Sequence, residues 1–152
     1  MLKNKILIAE FITPSEAIDL RSRILRPGQP IENCIYDGDN LNSSFHLGVR
    51  LNENQIICNG TFIQQPHKFF KSSVIPYRLR GMATDSQFQK QGLGSLIINT
   101  ALKIIKDKQG DLLWFNARTS AEIFYSKLGF CSTEEIFDIP LAGPHKVMYK
   151  WL

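Results

Sequence analysis

Gln89-Lys90-Gln91-Gly92-Leu93-Gly94-Ser95 is the stretch from which the rest of this chain is read. It follows a run with strand character and opens a long helical pattern. Gly92 and Gly94 remove side chains that would hold a phosphate away from the backbone. The helix behind them offers unpaired first-turn amides and the positive end of its dipole. Such a turn is an anion cradle. Two other phosphate loops fit it poorly. A nucleotide P-loop needs Gly-Lys-Ser/Thr where the chain has Gly94-Ser95-Leu96. A dinucleotide fingerprint needs a third small residue where Ile97 stands, and Asp111 is a loose match for its ribose-binding acid. Two glycines alone are weak evidence, because strand-to-helix turns also use them for backbone reasons.

The 152 residues and 43% hydrophobic content suit a single domain, 1–152, with one core. No apolar run approaches the roughly 20 residues of a membrane span, so no membrane association is expected. Glu10 interrupts the opening Ile6-Leu7-Ile8-Ala9 and no small-residue cleavage site follows, which favours a strand over a signal peptide. Cys34, Cys58 and Cys131 are odd in number and form no Cys-x-x-Cys pair. Neither a metal site nor a disulfide framework is expected, and reduced, buried thiols in a cytoplasmic protein fit best. The net charge of +4 is mild, without the basic block of a nucleic-acid-binding arm, and suits a polyanionic cofactor as well as it suits ordinary surface lysines.

Ile6 to Ile12 reads as a first strand, and Thr13-Pro14 opens a helix through Ala17, Leu20 and Ile24 that stops before Pro27-Gly28. Gln29 to Ser44 is turn-rich, with Asp37-Gly38-Asp39-Asn40 as its clearest loop. Phe45–Leu51 and Gln55–Gln64 form an antiparallel hairpin across Asn52-Glu53-Asn54. Pro66 to Pro76 is a loop whose aromatics, Phe69 and Phe70, pack inward or, less simply, form a lip over a substrate. Tyr77–Thr84 feeds the glycine loop. The helix from Gln91 to about Lys108 carries Leu93, Ile97, Ala101 and Ile104 on one stripe and ends at Gly110. Leu112-Leu113-Trp114-Phe115 is a strand covered on both faces. Thr119-Ser120-Ala121-Glu122 has the form of a capping box for a helix on which Ala121, Phe124, Tyr125 and Leu128 share one face and which stops at Gly129. Two closing strands, about Cys131–Ile139 and Lys146–Trp151, flank a turn at 140–144.

Gln89-x-x-Gly92-x-Gly94 resembles the pyrophosphate loop, Gln/Arg-x-x-Gly-x-Gly/Ala, of the GCN5-related N-acetyltransferases (GNAT). Leu79-Arg80-Gly81-Met82-Ala83-Thr84 resembles that family's central strand. Phe124-Tyr125-Ser126-Lys127-Leu128-Gly129-Phe130 resembles its late Tyr-x-x-x-Gly-Phe helix ending. Order and spacing agree over nearly the whole chain, most specifically from Tyr77 to Phe130. The resemblance implies the α/β GNAT-type acyl-CoA N-acyltransferase fold, a mixed central sheet of about six to seven strands flanked by helices. It implies an acetyltransferase that moves the acetyl group of acetyl-CoA to a primary amine by direct attack, without a metal. The amides of Gln89, Lys90, Gln91, Gly92, Leu93, Gly94 and Ser95 would then hold the pyrophosphate. Lys90 is either an added phosphate contact or a solvated lysine.

By the same resemblance, backbone groups of Met82, Ala83 and Thr84 pair with the pantetheine arm and polarise the acetyl carbonyl. Gly81 supplies a local bulge or merely relieves packing. Tyr125 matches the tyrosine that protonates the leaving thiolate; a phenol near pKa 10 and a thiol near about 8.5 are close enough for that transfer. A purely structural tyrosine is the competing role. The family's cofactor-binding asparagine falls at Arg118 here, with Asn116 two residues earlier, so the contact is kept by Asn116, replaced by Arg118, or lost. Glu135, Asp138 and His145 are candidates for the general base, and none is singled out. Arg21, Arg23 and Arg26 either meet an acidic acceptor or form a solvated helix face. The acceptor is open between a small molecule and a protein amine, and the resemblance admits a homodimer. A non-catalytic acyl-CoA sensor is the alternative; it would keep Gln89–Ser95 and have no use for Tyr125.

Overall fold

The computed structural model describes residue 2 and residues 4–152. The strands are β1 (Glu10–Phe11), β2 (Phe45–Asn52), β3 (Gln55–Gln64), β4 (Pro76–Thr84), β5 (Leu112–Arg118), β6 (Cys131–Ser132), β7 (Phe137–Ile139) and β8 (Gly143–Trp151). The helices are α1 (Ile18–Leu20), α2 (Leu93–Asp107) and α3 (Glu122–Lys127). A 3-10 turn, Ser15–Ala17, precedes α1, and a wider π turn, Arg21–Leu25, follows it. Hydrogen bonding orders the strands β1-β2-β3-β4-β5-β8-β6, with β7 also on β8. The sheet is mixed, because β4 and β5 are parallel while β8 runs antiparallel to β5, β6 and β7. Parallel neighbours need a long crossover, and α2 supplies it. The result is the α/β class expected from sequence, with eight strands because the closing segments are more broken than their composition suggests.

Two compact units make up the chain: residues up to Thr61 with Gly81–Ala101, and Phe62–Arg80 with Leu102–Leu152. In the first unit, the expected opening strand shrinks to Glu10–Phe11, paired with Gly48 and Leu47. The amide of Ile12 still bonds the carbonyl of His46 at 3.0 Å. Ile6 and Ile8 are left exposed at 96% and 61%, so the apolar run lacks the cover that a core strand requires. The helical segment after it begins on a capping box, Thr13-x-x-Glu16. Thr13 N donates to Glu16 Oε1 at 3.0 Å, and Glu16 N donates back to Thr13 Oγ1 at 3.3 Å. Ala17 and Leu20 are buried as expected.

Arg21 overturns both readings given for it: it is completely buried. Its guanidinium makes a bidentate pair with Asp39 at 2.7 and 2.9 Å and also donates to Cys34 O and Thr61 Oγ1. Its carbon centre lies 3.9 Å from the centroid of the Tyr36 ring. Asp39, in the turn at 37–40, is thus a core residue rather than a loop-tip acid.

In the second unit, β5 and β8 pair over seven positions, from Leu112↔Trp151 to Arg118↔His145. Phe70, Leu112, Trp114 and Val147 form a buried cluster with Phe137 and Tyr149 against it. The loop between β3 and β4 does pack Phe70 inward, while Phe69 stays 46% exposed. Asp111 anchors that loop through Ser73 Oγ and the amides of Val74 and Ile75 at 2.8 and 3.1 Å. Its role is architectural, which disposes of the loose match to a ribose-binding acid.

Three further local expectations change. Thr119–Ala121 forms a 3-10 turn with no side-chain cap, because the Glu122 carboxylate is engaged by Lys146 Nζ at 3.0 Å. The helix α2 ends on Gln109 in the left-handed region, φ 64°, with Gly110 N returning to Ile105 O at 2.8 Å. Gly110 is needed because a Cβ there would meet Ile105 Cγ2 at 2.3 Å. On α2 itself Ile98 and Ile105 are buried along with Leu93, Ile97 and Ala101, whereas Ile104 is half-buried. The segment expected to be one strand over Cys131–Ile139 divides into β6 and β7, and β8 begins at Gly143.

Candidate active site

In the first unit, Gly81 interrupts β4 at φ 65°, the left-handed region that favours glycine. A Cβ at Gly81 would lie 3.0 Å from Arg21 Nε and 3.1 Å from Tyr36 Cε2, so the close approach is a second reason for glycine. The Gly81 carbonyl accepts from Asn59 Nδ2 at 3.1 Å. Gly81 thus combines a backbone conformation unusual for a strand with a close approach that relieves packing, and a buried polar cluster lies against it. Met82, Ala83 and Thr84 continue β4 beyond it, with Ala83 buried and the other two half-buried. Thr84 Oγ1 lies 3.3 Å from Cys58 Sγ. Burial pushes the Cys58 thiol up to about 11, so it stays protonated and is no nucleophile. Cys34 is buried too; Cys131, expected inside, is exposed.

The turn after β4 is built by Asp85. Its amide bonds Ile57 O at 2.8 Å, its carbonyl accepts from Phe88 N at 2.9 Å, and its carboxylate accepts from Gln87 N at 3.0 Å. Arg23 reaches the same carboxylate at 3.1 Å while also pairing with Asp19. The expected solvated arginine is thus half a brace for the loop. Phe88 is buried and pins the 3-10 turn, and Gln89 Nε2 donates to Thr84 O at 3.2 Å. The Gln89 side chain closes the loop from within and leaves the anion to backbone amides.

Lys90 and Gly92 both take positive φ, 62° and 84°. Open space surrounds the position of a Gly92 Cβ, so glycine is needed there for conformation rather than room. Leu96 N bonds Gly92 O at 3.1 Å, which starts α2 and leaves the amides of Leu93, Gly94 and Ser95 in its unpaired first turn. The loop residues predicted from sequence, Gln89 to Ser95, thus form one turn joined to Met82–Thr84 through Asp85. Asp85 gave no sequence signal beyond being a turn-forming acid ahead of the glycines.

In the second unit, Phe115 and Asn116 point to opposite faces of β5. The Phe115 ring packs 4.4 Å from Tyr125 and 5.1 Å from Phe130, on the side covered by α3. Tyr125 is buried, and Gly129 ends α3 with φ 92°. On the other face Trp114 meets His67, 4.6 Å between ring centroids, and Asn116 lines a cavity of about 280 Å³. Glu135 lines that cavity as well. Asp138 is exposed on β7. His145 is buried, and its Nδ1 donates to Gly143 O at 2.7 Å, which leaves Nε2 as the basic nitrogen of the neutral ring. Of the three base candidates, Glu135 is the one that lines this cavity. Arg118 ends β5 on the Asn116 face, opposite His145 of β8.

Among the described residues no His, Cys, Asp and Glu grouping could hold a metal ion, and no helix is long and apolar enough to cross a membrane.

A family profile described as an acetyltransferase (GNAT) domain matches residues 43–132. The uncharacterized N-acetyltransferase YitI of Bacillus subtilis (strain 168) is 39% identical over 141 residues, covering 93% of either chain. Two solved structures share the fold at lower identity. Escherichia coli ElaA superposes with a TM-score of 0.74 at 14% identity, over 95% of this chain and 99% of its own. An aminoglycoside 6'-N-acetyltransferase complexed with coenzyme A gives 0.71 at 14%, over 95% and 96%. The profile spans more than half of the chain and the Bacillus relative nearly all of it; this chain is an acyltransferase of the GCN5-related N-acetyltransferase family.

Proposed function

We propose that the protein transfers the acetyl group of acetyl-CoA to a primary amine by direct attack. The observation that carries this reading is the turn from Gln89 to Ser95. A left-handed Gly92 opens α2, whose first-turn amides are unpaired, shortly after a strand in which Gly81 takes a positive φ. The amides of Leu93, Gly94 and Ser95 bind the pyrophosphate, aided by the α2 dipole, and Lys90 adds a screened charge. Backbone groups of Met82, Ala83 and Thr84 hold the pantetheine arm, and an amide among them stabilises the oxyanion. The amine nitrogen attacks the thioester carbonyl, the C–S bond breaks, and the amine loses a proton while the thiolate gains one. Tyr125 supplies the thiolate's proton in the way the family resemblance implies. The mechanism needs no metal, and the setting that fits it is cytoplasmic.

Calorimetric titration with acetyl-CoA tests the cradle. Wild type is expected to bind, and Gly92→Glu, which forces a bulky anion into a left-handed position, to fold and not bind. Tyr125→Phe is expected to bind the cofactor normally and lose at least ten-fold in kcat. Equal binding by Gly92→Glu would remove the basis of the reading, and unchanged turnover in Tyr125→Phe would leave that residue a structural role.

A further inference from the structure

We infer that the cavity on the Asn116 face of β5 is the acceptor site and that it takes a free α-amino acid with an apolar side chain. This rests on the acetyl-transfer reading above and names the substrate class for it. At about 280 Å³ the cavity falls just under the roughly 300–1,000 Å³ typical of pockets for drug-sized ligands, so its occupant is small.

Its walls carry one charge of each sign. Lys68 comes from the β3–β4 loop and Glu135 from the segment between β6 and β7. They do not pair with one another, and among the described residues neither has an opposite charge as partner. Two unlike charges that line one small cavity without pairing to each other match the carboxylate and ammonium of a zwitterion. An ammonium also needs acceptors for its remaining hydrogens. Thr133 Oγ1 gives its own hydrogen to Val147 O at 3.1 Å and so presents lone pairs. The Asn116 amide has no hydrogen-bond partner among the described residues and supplies a second neutral acceptor.

The rest of the wall is apolar. Phe69, Phe137 and Val147 line the cavity with the His67 ring. His67 Nδ1 accepts from Phe69 N at 3.0 Å, so the neutral ring keeps its proton on Nε2 and is a poor base at Nδ1. Burial, with Lys68 and Arg78 nearby, holds it below the ordinary histidine value and therefore neutral. Its ring is a wall for an apolar side chain, not a second charge. The wall is also pre-formed. Phe70 N bonds His67 O at 3.0 Å, Trp114 Nε1 bonds Gln65 O at 2.9 Å, and Asp111 fixes the far end of the loop. A loop whose bonds are already made before any ligand arrives has less to order on binding.

In this arrangement Asn116 serves the acceptor rather than the cofactor, on the opposite face of β5 from Tyr125. Glu135 holds the ammonium, which gives one proton to solvent before the amine attacks. The C–S bond breaks, the second proton balances the departing thiolate, and the products are an N-acetyl amino acid and free coenzyme A.

The test uses the full chain and two readouts. Thiol release from acetyl-CoA is measured with L-phenylalanine, L-phenylalaninamide and 2-phenylethylamine, the last two lacking the carboxylate. Binding of L-phenylalanine is followed separately by tryptophan fluorescence, since Trp114 contacts the His67 wall. Turnover of phenylalanine is expected, with KM raised at least ten-fold for the amide and the amine. Lys68→Met should raise KM for phenylalanine about ten-fold and leave that for phenylethylamine unchanged. Glu135→Gln should raise both. Both side chains are exposed, so neither change threatens folding. Equal effects of Lys68→Met on the two substrates overturn the carboxylate assignment. Acetyl-CoA binding without turnover or fluorescence response to any apolar amino acid overturns the cavity assignment while the cofactor reading stands. If acetyl-CoA does not bind, the cofactor reading fails, and the fluorescence titration still decides whether the cavity takes an amino acid.

Discussion

Arg21 shows how far a single residue can depart from what its position in a sequence suggests. In the sequence it is one of three arginines on an early helix; in the fold its charge is surrounded by protein. Its hydrogen bonds run in a consistent direction. Arg21 donates to Thr61 Oγ1, Thr61 donates on to His46 Nδ1 at 2.7 Å, and His46 Nε2 donates to the Asp39 carbonyl at 2.9 Å. That pattern requires neutral His46, because a proton on Nδ1 would leave Thr61 without its acceptor. Burial, reinforced by Arg21, holds His46 below its ordinary value, against the pull of Asp39. Its stabilising neutral form is fully present above about pH 6.5 and is lost as pH falls through the depressed folded value, since the unfolded histidine takes the proton sooner. Denaturant melts at pH 7.5, 6.5 and 5.5 should show declining stability, with a shallower decline in His46→Gln; His67, shifted the same way, accounts for the remainder. The Asp39 carboxyl is pushed up by burial, but Arg21 and the Tyr36 amide prevail and hold it below the carboxylate range. Asp39→Asn leaves the guanidinium charge buried and unpaired, and a loss of about 3–5 kcal/mol is expected in urea unfolding. A loss under about 1 kcal/mol would mean that the charge finds water.

At the scale of elements, the ends carry the information that periodicity lacks. The end of α2 is the clearest case. Gln109 occupies a left-handed position and Gly110 occupies a crowded one, so the sequence holds its glycine one place beyond the residue that needs positive φ. Gln109→Gly should raise stability by up to about 1 kcal/mol, because it relieves a backbone that costs an L residue about 1–2 kcal/mol. Gly110→Ala should lower stability, since its Cβ would fall 2.3 Å from Ile105 Cγ2. The opposite order of melting temperatures would refute this account of the helix end. The same distinction sets what could be read beforehand. Long apolar patterns gave β2 to β5 and α2 nearly residue for residue, and the glycine loop was legible because its glycines and flanking polar residues form a spaced motif. Short elements were not. The apolar run at 6–12 lacked a covering layer, and the stretch at 131–139 broke where Thr133 turns its amide to Val147 O at 2.9 Å. Of two capping-box patterns, Thr13-x-x-Glu16 forms, while at Thr119 the Glu122 carboxylate has a tertiary partner in Lys146. Competition between a local and a distant partner is decided by geometry that one sequence does not contain.

For the whole molecule the question is whether the buried polar cluster only supports the fold or also sets the cofactor site. Arg21 and Asn59 both press on Gly81, whose positive φ directs Met82–Thr84, so disturbing the cluster should alter acetyl-CoA binding as well as stability. Linkage separates the two effects. A ligand that binds only the folded state adds RT ln(1 + [L]/Kd), about 2.7 kcal/mol at one hundred times Kd. With acetyl-CoA fixed at that concentration for wild type, Gly110→Ala is expected to melt lower yet gain the full ligand increment, because it lies outside the unit that carries the cradle. Asp39→Asn is expected to melt lower and to gain less than half of it, since its cluster holds the strand that binds the pantetheine arm. Equal increments in the two variants, measured as unfolding free energies with and without acetyl-CoA, would reduce the cluster to a scaffold. The Gly81 backbone would then be set by its own strand pairing, and the burial of a charged arginine beside it would need a reason unconnected with acetyl transfer.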